Sequence, residues 1–214
     1  MSHTPPFSLD RDLLRACPTL LTDGAAAAHL KLDEPAASIN NGRLTASSSL
    51  EAKGVRVGSL LTVDGRPYEV TENVNATQIF IAEPAFDPDA PRILPQNGNN
   101  RNAVFLDFAA YRIAAYQDVR LRIGLDPEAQ DADTRLAAVT NPSLLKQLEI
   151  FRALELVFAR FDVGREAALN PYWAGFYGGR YAELLSGATL RFDFNGDAFA
   201  EQERRFDVLP VTRR

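Results

Sequence analysis

Between residues 25 and 86 the chain alternates apolar and polar positions in short runs, and beyond residue 103 the apolar positions recur at helical spacing. In the first stretch Val55, Val57, Leu61 and Val63 share one parity, as do Tyr68 and Val70 across Asp64-Gly65. Ile79 and Ile81 fall on one face of the TQIFIA run, with Gln78 and Phe80 on the other. Asn41-Gly42 lies between Ile39 and Leu44, and both dipeptides tolerate the positive φ angles of tight hairpin turns. Gly58 interrupts its run as a bulge would. Several short strands at this spacing predict a small antiparallel β-barrel or sandwich, without room for a catalytic cavity.

Helical signals flank that module. Residues 8–16 predict a short helix with Ser8 as its cap, Asp10 and Asp12 in its first turn and Pro18 after its end. Residues 87–101, rich in Pro and Asn, read as a boundary or a surface loop. Phe105, Ala109, Ile113, Tyr116 and Val119 make a helical stripe over 103–123, closed by Gly124. Residues 125–135 read as an acidic linker. Asn141-Pro142 and Asn170-Pro171 each place an Asn cap before a Pro at the first helical position, where a missing N–H is harmless. In the first of these helices Leu144, Leu148, Phe151, Leu154, Phe158 and Phe161 form a stripe that Ile150 and Val157 widen to about half the circumference. Such a helix needs cover from two sides, within the chain or from a second subunit. The next helix carries Trp173, Phe176, Tyr177, Tyr181, Leu184 and Leu185, and the short link predicts an antiparallel hairpin. Gly187 ends it. Gly175, Gly178 and Gly179 imply either close helix packing or a break near Gly178. The remainder reads as a terminal hairpin or an extended tail.

The fold class expected is therefore α+β: a helical bundle with an inserted small antiparallel barrel or sandwich and an extended C-terminal hairpin or tail. The expected division is an arm and short helix over 1–24, a β module over 25–98, a helical domain over 99–187 and a C-terminal arm over 188–214.

Charge and composition narrow the function. A net charge of −5 opposes a general grip on nucleic acid, which needs a basic surface. No apolar run approaches the roughly 20 residues of a membrane helix, and the start lacks the charged-then-apolar order of a signal peptide. The expectation is a soluble chain made in the cytosol. One cysteine, Cys17, rules out an internal disulfide, and His3 and His29 have no companion ligands for zinc. The two histidines also fit no Ser-His-Asp set, so no catalytic residue is assigned, and no cofactor. Asn75-Ala76-Thr77 matches a glycosylation acceptor but reads as a turn. The metal candidate is Asp193, Asn195 and Asp197, whose alternating oxygens resemble half of a calcium loop. Gly196 stands at the fourth place instead of the sixth and Arg204 at the twelfth, where a bidentate Glu belongs, so the expected reading is a hairpin turn and no metal. Apolar side chains left for interfaces are Leu144, Leu148, Phe151, Phe158, Trp173, Tyr177, Tyr181, Phe206, Val208 and Leu209.

The order of the segments carries a resemblance. SLDRDLLRACPTL opens the chain, LTASSSLEAKGVRVGSLLTVDGRPYEVTENVNATQIFIAEP follows, then NPSLLKQLEIFRALELVFARF, LRFDFNGD and RRFDVLPVTRR. Together they resemble the head–tail adaptor (connector) proteins of tailed bacteriophages over most of the chain. The resemblance implies a non-enzymatic virion protein at the neck, made in the bacterial cytoplasm. It implies a homo-oligomeric ring, usually of twelve copies, that docks on the portal and on a tail or neck protein. Double-stranded DNA would pass through without specific binding, and no membrane is involved. The family's Asp-rich turn stands here as Asp193-Phe194-Asn195-Gly196-Asp197, with Phe194 intruding. Other virion roles, in tail completion or capsid decoration, and a small calcium-dependent binder are the alternatives.

Overall fold

The computed structural model describes residues 6–21, 29–85, 91–124, 132–159, 170–197 and 199–205. The chain is α+β and divides into two compact units. One holds the described residues of Leu9–Ala109; the other holds Pro6–Ser8 and the described residues from Ala110 onward.

The first unit is a closed six-stranded antiparallel barrel. Its strands are β1 (Leu30–Asn40), β2 (Arg43–Thr45), β3 (Leu60–Val63), β4 (Arg66–Asn75), β5 (Gln78–Ala82) and β6 (Gly98–Leu106), ordered β1-β2-β5-β4-β3-β6. β6 closes the ring by pairing with both β1 and β3. The expected turns form: Asn41 and Gly42 have φ of 48° and 76°, and Asp64 and Gly65 of 50° and 80°. Two consecutive positive φ values give the turn whose twist matches the flanking strands. The expected parity holds for Leu61, Val63, Tyr68, Val70, Ile79 and Ile81, which fill the interior with Ile39, Leu44, Ala103 and Phe105. Val57 departs from it and is exposed, because the chain turns at Val57-Gly58 before β3 begins.

Three expectations are corrected here. Phe105 does not begin a helical stripe: it is a fully buried residue of β6, and the helix starts only at Ala109. The β module therefore runs past residue 98. Of the Asn-rich NGNNR, Gly98 to Arg101 are strand, not loop, and Asn97 precedes it. Between Ala37↔Arg101 and Ile39↔Gly98 the register gives β6 one residue more than β1, and Asn100 takes φ 55° there. Asn is among the few residues that accept that conformation, so a bulge carries the composition of a turn. A second slip lies between Glu34 and Ala37, where Pro35, which has no N–H, sits in β1. Gly58 is no bulge. It precedes β3 with φ 85°, its carbonyl accepts the N–H of Arg11, and a Cβ on it would lie 2.8 Å from Leu9 Cδ1.

Arg11 belongs to α1 (Asp10–Ala16), which packs Leu13 and Leu14 inward. Ser8 does not cap this helix. Asp12 Oδ2 accepts the Leu9 N–H at 2.8 Å instead.

The second unit contains α2 (Ala109–Arg122), α3 (Ala132–Ala137), α4 (Pro142–Ala159), α5 (Asn170–Gly187) and a two-stranded sheet of β7 (Thr189–Phe192) and β8 (Gln202–Arg205). Gly124 takes φ 70° after α2, as a left-handed helix end requires. Ile113, expected on the buried stripe of α2, is exposed; Ala115, Tyr116, Val119 and Arg120 are the buried positions. Residues 125–131 of the expected linker lie outside the described residues, and the rest enters α3. Tyr116, Val119 and Ile123 pack with Leu145, Leu148, Tyr181, Leu190 and Phe192 into one core. Asn141 precedes Pro142 as expected, yet its side chain does not cap α4. Its Oδ1 accepts the Arg191 N–H at 3.2 Å and its Nδ2 donates to the Thr189 carbonyl at 3.0 Å, which ties the helix start to β7. The Asn170 side chain lies outside the described residues. Among the described helices none is long and apolar enough to cross a membrane.

Candidate functional site

The helix pair α4–α5 gathers a ladder of aromatic side chains. The rings of Phe158 and Tyr177 stack with centroids 5.8 Å apart, Phe151 stacks on Tyr177 at 6.4 Å, and Trp173 lies 6.3 Å from Phe158 and 6.1 Å from Tyr177. Phe158 meets Trp173 while Arg152, further up α4, meets Tyr181 further along α5, so the helices run antiparallel. Offset and edge-on ring pairs of this kind add about 0.5–1.5 kcal/mol each beyond simple burial.

The wide apolar arc of α4 is covered within the chain. Leu145, Leu148, Glu149, Ala153, Leu154, Val157 and Phe158 are all buried, and at 100° per residue they span more than half the helix. Of the interface candidates, Leu148, Phe158, Tyr177 and Tyr181 are buried in the unit itself, while Leu144, Phe151 and Trp173 are half-buried. Phe206, Val208 and Leu209 lie outside the described residues. The exposed aromatics of α5 are Tyr172, 63% exposed, and Phe176, 41% exposed. Both pack edge-on against the ladder, Tyr172 on Trp173 at 5.3 Å and Phe176 on Tyr177 at 5.1 Å. Residues 172, 175, 176 and 179 share one helical face, and a Cβ on Gly175 or Gly179 would meet no atom within 4 Å. That face sets two exposed rings on a ridge of small residues, with the Arg180 guanidinium 5.6 Å from the Phe176 ring. Gly178 points the other way: a Cβ there would lie 3.0 Å from the Glu155 carboxyl, so close packing, with α5 unbroken, explains this glycine.

A polar seam runs beside the ladder. Arg152 pairs with Asp118 at 2.9 Å and with Glu155 at 2.7 Å, and Arg122 pairs with Asp118 at 3.3 Å. The guanidiniums of Arg122 and Arg152 lie 5.6 and 5.7 Å from the Tyr181 ring. Burial, with the Asp118 charge beside it, pushes the Tyr181 phenol up to about 12. It stays protonated at neutral pH and donates to Asp118 at 3.5 Å.

The residue that sequence reading passed over is Glu149. It sits at a helical position that would suit leucine and is fully buried. Its Oε2 accepts the Phe7 N–H at 2.8 Å, and its Oε1 accepts the Ser8 N–H at 3.1 Å and the Ser8 hydroxyl. Burial raises its pKa to about 7, against the lowering effect of those hydrogen bonds and of the Arg112 charge. The signal available in the sequence was a single Glu inside the apolar arc of α4. In the barrel, Glu34 is the counterpart. It accepts the Ser47 N–H at 2.9 Å, the Ser47 hydroxyl, and the Ser48 hydroxyl at 2.8 Å. Burial pushes its carboxyl upward, and the hydrogen bonds from Ser47 and Ser48 together outweigh that and hold it below the ordinary value.

The Asp193–Asp197 segment lies in the loop between β7 and β8. Asp193 Oδ1 accepts the Gly196 N–H at 2.7 Å, Asn195 Oδ1 the Asp197 N–H at 2.9 Å, and Asp197 Oδ1 the Phe199 N–H at 2.9 Å. These oxygens are used in folding the turn. Among the described residues no three metal-binding side chains come together. Two clefts of the barrel unit, of about 190 and 240 Å³, fall below the roughly 300–1,000 Å³ of small-molecule pockets. Compared with protein-family models, with curated proteins and with solved structures, the chain matches none, so its site rests on its own geometry.

Proposed function

We propose that this chain is a structural virion protein, a head–tail adaptor that acts by self-assembly and docking and not by catalysis. In this reading the helices form a bundle that builds the body of a ring between the portal and the tail or neck components. Double-stranded DNA passes through the ring without specific contacts, and the place of action is the neck of the particle. The observation that carries the proposal is the exposed face of Tyr172, Gly175, Phe176 and Gly179, held rigid by the ring ladder behind it. Aromatic anchors on a rigid backing, with small residues that let a partner approach, are what a docking interface concentrates. Mass measurement of the purified chain, alone and mixed with the portal protein, tests this. A ring-sized species or a complex with the portal is expected. A monomer with no affinity for the portal would sink the proposal, and a lattice on the capsid shell of an assembled particle would assign a decorating role instead.

A further inference from the structure

Every hydrogen bond that the Glu149 carboxylate accepts among the described residues comes from one dipeptide, Phe7-Ser8, more than 140 positions away in sequence. The same dipeptide is gripped elsewhere too. Arg112 Nη1 of α2 donates to the Ser8 carbonyl at 2.6 Å. The Phe7 ring stands edge-on to Tyr116 with centroids 5.2 Å apart and packs on the core of the unit. Two consecutive N–H groups, a carbonyl, a hydroxyl and a ring are thus all recognised. Burying a carboxylate carries a desolvation penalty of several kcal/mol, and a well-packed apolar residue at this position would be as good or better for stability alone. Full burial of Glu149 is explained by what it binds.

We propose that Glu149, Arg112 and Tyr116 form a peptide-binding site on α2 and α4, and that Phe7-Ser8 is its tethered ligand, held in cis and displaceable. The ligand class follows from the contacts. It is a peptide segment with an aromatic residue followed by a hydroxyl-bearing one, neither of them proline, since both must offer an N–H. Tethering gives the cis segment an effective concentration on the millimolar scale, so a free peptide enters only when the cis segment is weakened.

The test uses the full chain and a fluorescein-labelled heptapeptide of sequence TPPFSLD, titrated to millimolar. A double variant, Phe7→Gly with Ser8→Gly, leaves the receptor intact and is expected to bind the peptide at least tenfold more tightly than the unaltered chain. Adding Glu149→Gln to it is expected to remove at least tenfold of that affinity. Equal binding by the double variant and the unaltered chain, or an affinity indifferent to Glu149→Gln, overturns the proposal. Should the double variant fail to fold by circular dichroism, amide hydrogen exchange on the single variant Glu149→Gln decides. The Phe7 and Ser8 amides are then expected to lose at least tenfold of their protection while the amides of α4 keep theirs, and unchanged protection at Phe7 and Ser8 overturns it equally.

Discussion

Glu149 and Glu34 are both buried carboxylates with three protein donors each, yet their protons respond in opposite directions. For Glu149 the folded value of about 7 lies above the ordinary 4.5. The folded state therefore holds the proton more tightly than the unfolded chain. Its contribution to stability is full below pH 4.5 and is lost as pH rises to about 7. At 1.36 kcal/mol per pKa unit the loss is about 3 kcal/mol. Denaturant unfolding of Glu149→Gln between pH 4 and 8 is expected to lack that fall. Glu34 is held low, so its contribution is present above the ordinary 4.5 and disappears as pH drops through its folded value. Glu34→Ala removes charge-assisted hydrogen bonds from exposed Ser47 and half-buried Ser48 and is expected to cost about 1.5–3 kcal/mol at neutral pH, measured the same way. Neither partnership was legible in the sequence. A Glu in an apolar arc signals only an anomaly, and its partner dipeptide lies at the far end of the chain, where no periodicity connects the two.

At the scale of the element, local chemistry was readable wherever one dipeptide decides the geometry. Asn41-Gly42 and Asp64-Gly65 turn as expected because few residue pairs adopt two positive φ values. β6 was misread for the same reason: Asn100 carries turn chemistry inside a strand, and Phe105 happens to fall at helical spacing from Ala109. Ser8 and Asn141 mislead because their side chains bond distant groups, the Glu149 carboxylate and the β7 backbone, instead of their own helix starts. A matched pair of substitutions separates backbone strain from packing. Gly65→Ala is expected to cost roughly 1–2 kcal/mol, since φ is 80° and nothing lies within 4 Å. Gly58→Ala adds overlap with Leu9 and is expected to cost about 2–4 kcal/mol. Thermal unfolding of both variants gives the difference directly.

Taken as a whole molecule, the chain separates a barrel with a filled interior from a helical unit whose aromatics are partly displayed. The α+β class and the strand-rich middle followed from periodicity. A closed barrel was one of the two expected forms, but periodicity did not choose it over a sandwich, because the strand that closes the ring was hidden in an Asn-rich segment. The double variant Tyr172→Ser, Phe176→Ser is expected to weaken self-association or portal binding at least tenfold in sedimentation measurements. Its melting temperature should fall by only a few degrees, since neither side chain is among the buried residues, Tyr172 being 63% and Phe176 41% exposed.

The pairing of β6 with β1 and β3 also sets a schedule for synthesis. A strand that ends at Leu106 seals both sides of the gap, so a nascent chain shorter than this presents two open sheet edges. At roughly 5–20 residues per second, the stretch from Leu30 to Leu106 takes about 4–15 s to make. During that time the hairpins of β1–β2 and β3–β4–β5 can form locally, but their inner faces stay wet and their edges stay available to neighbouring chains on the same message. Slowing translation ahead of β6 should therefore raise the fraction of chain that aggregates, whereas a pause after it should not.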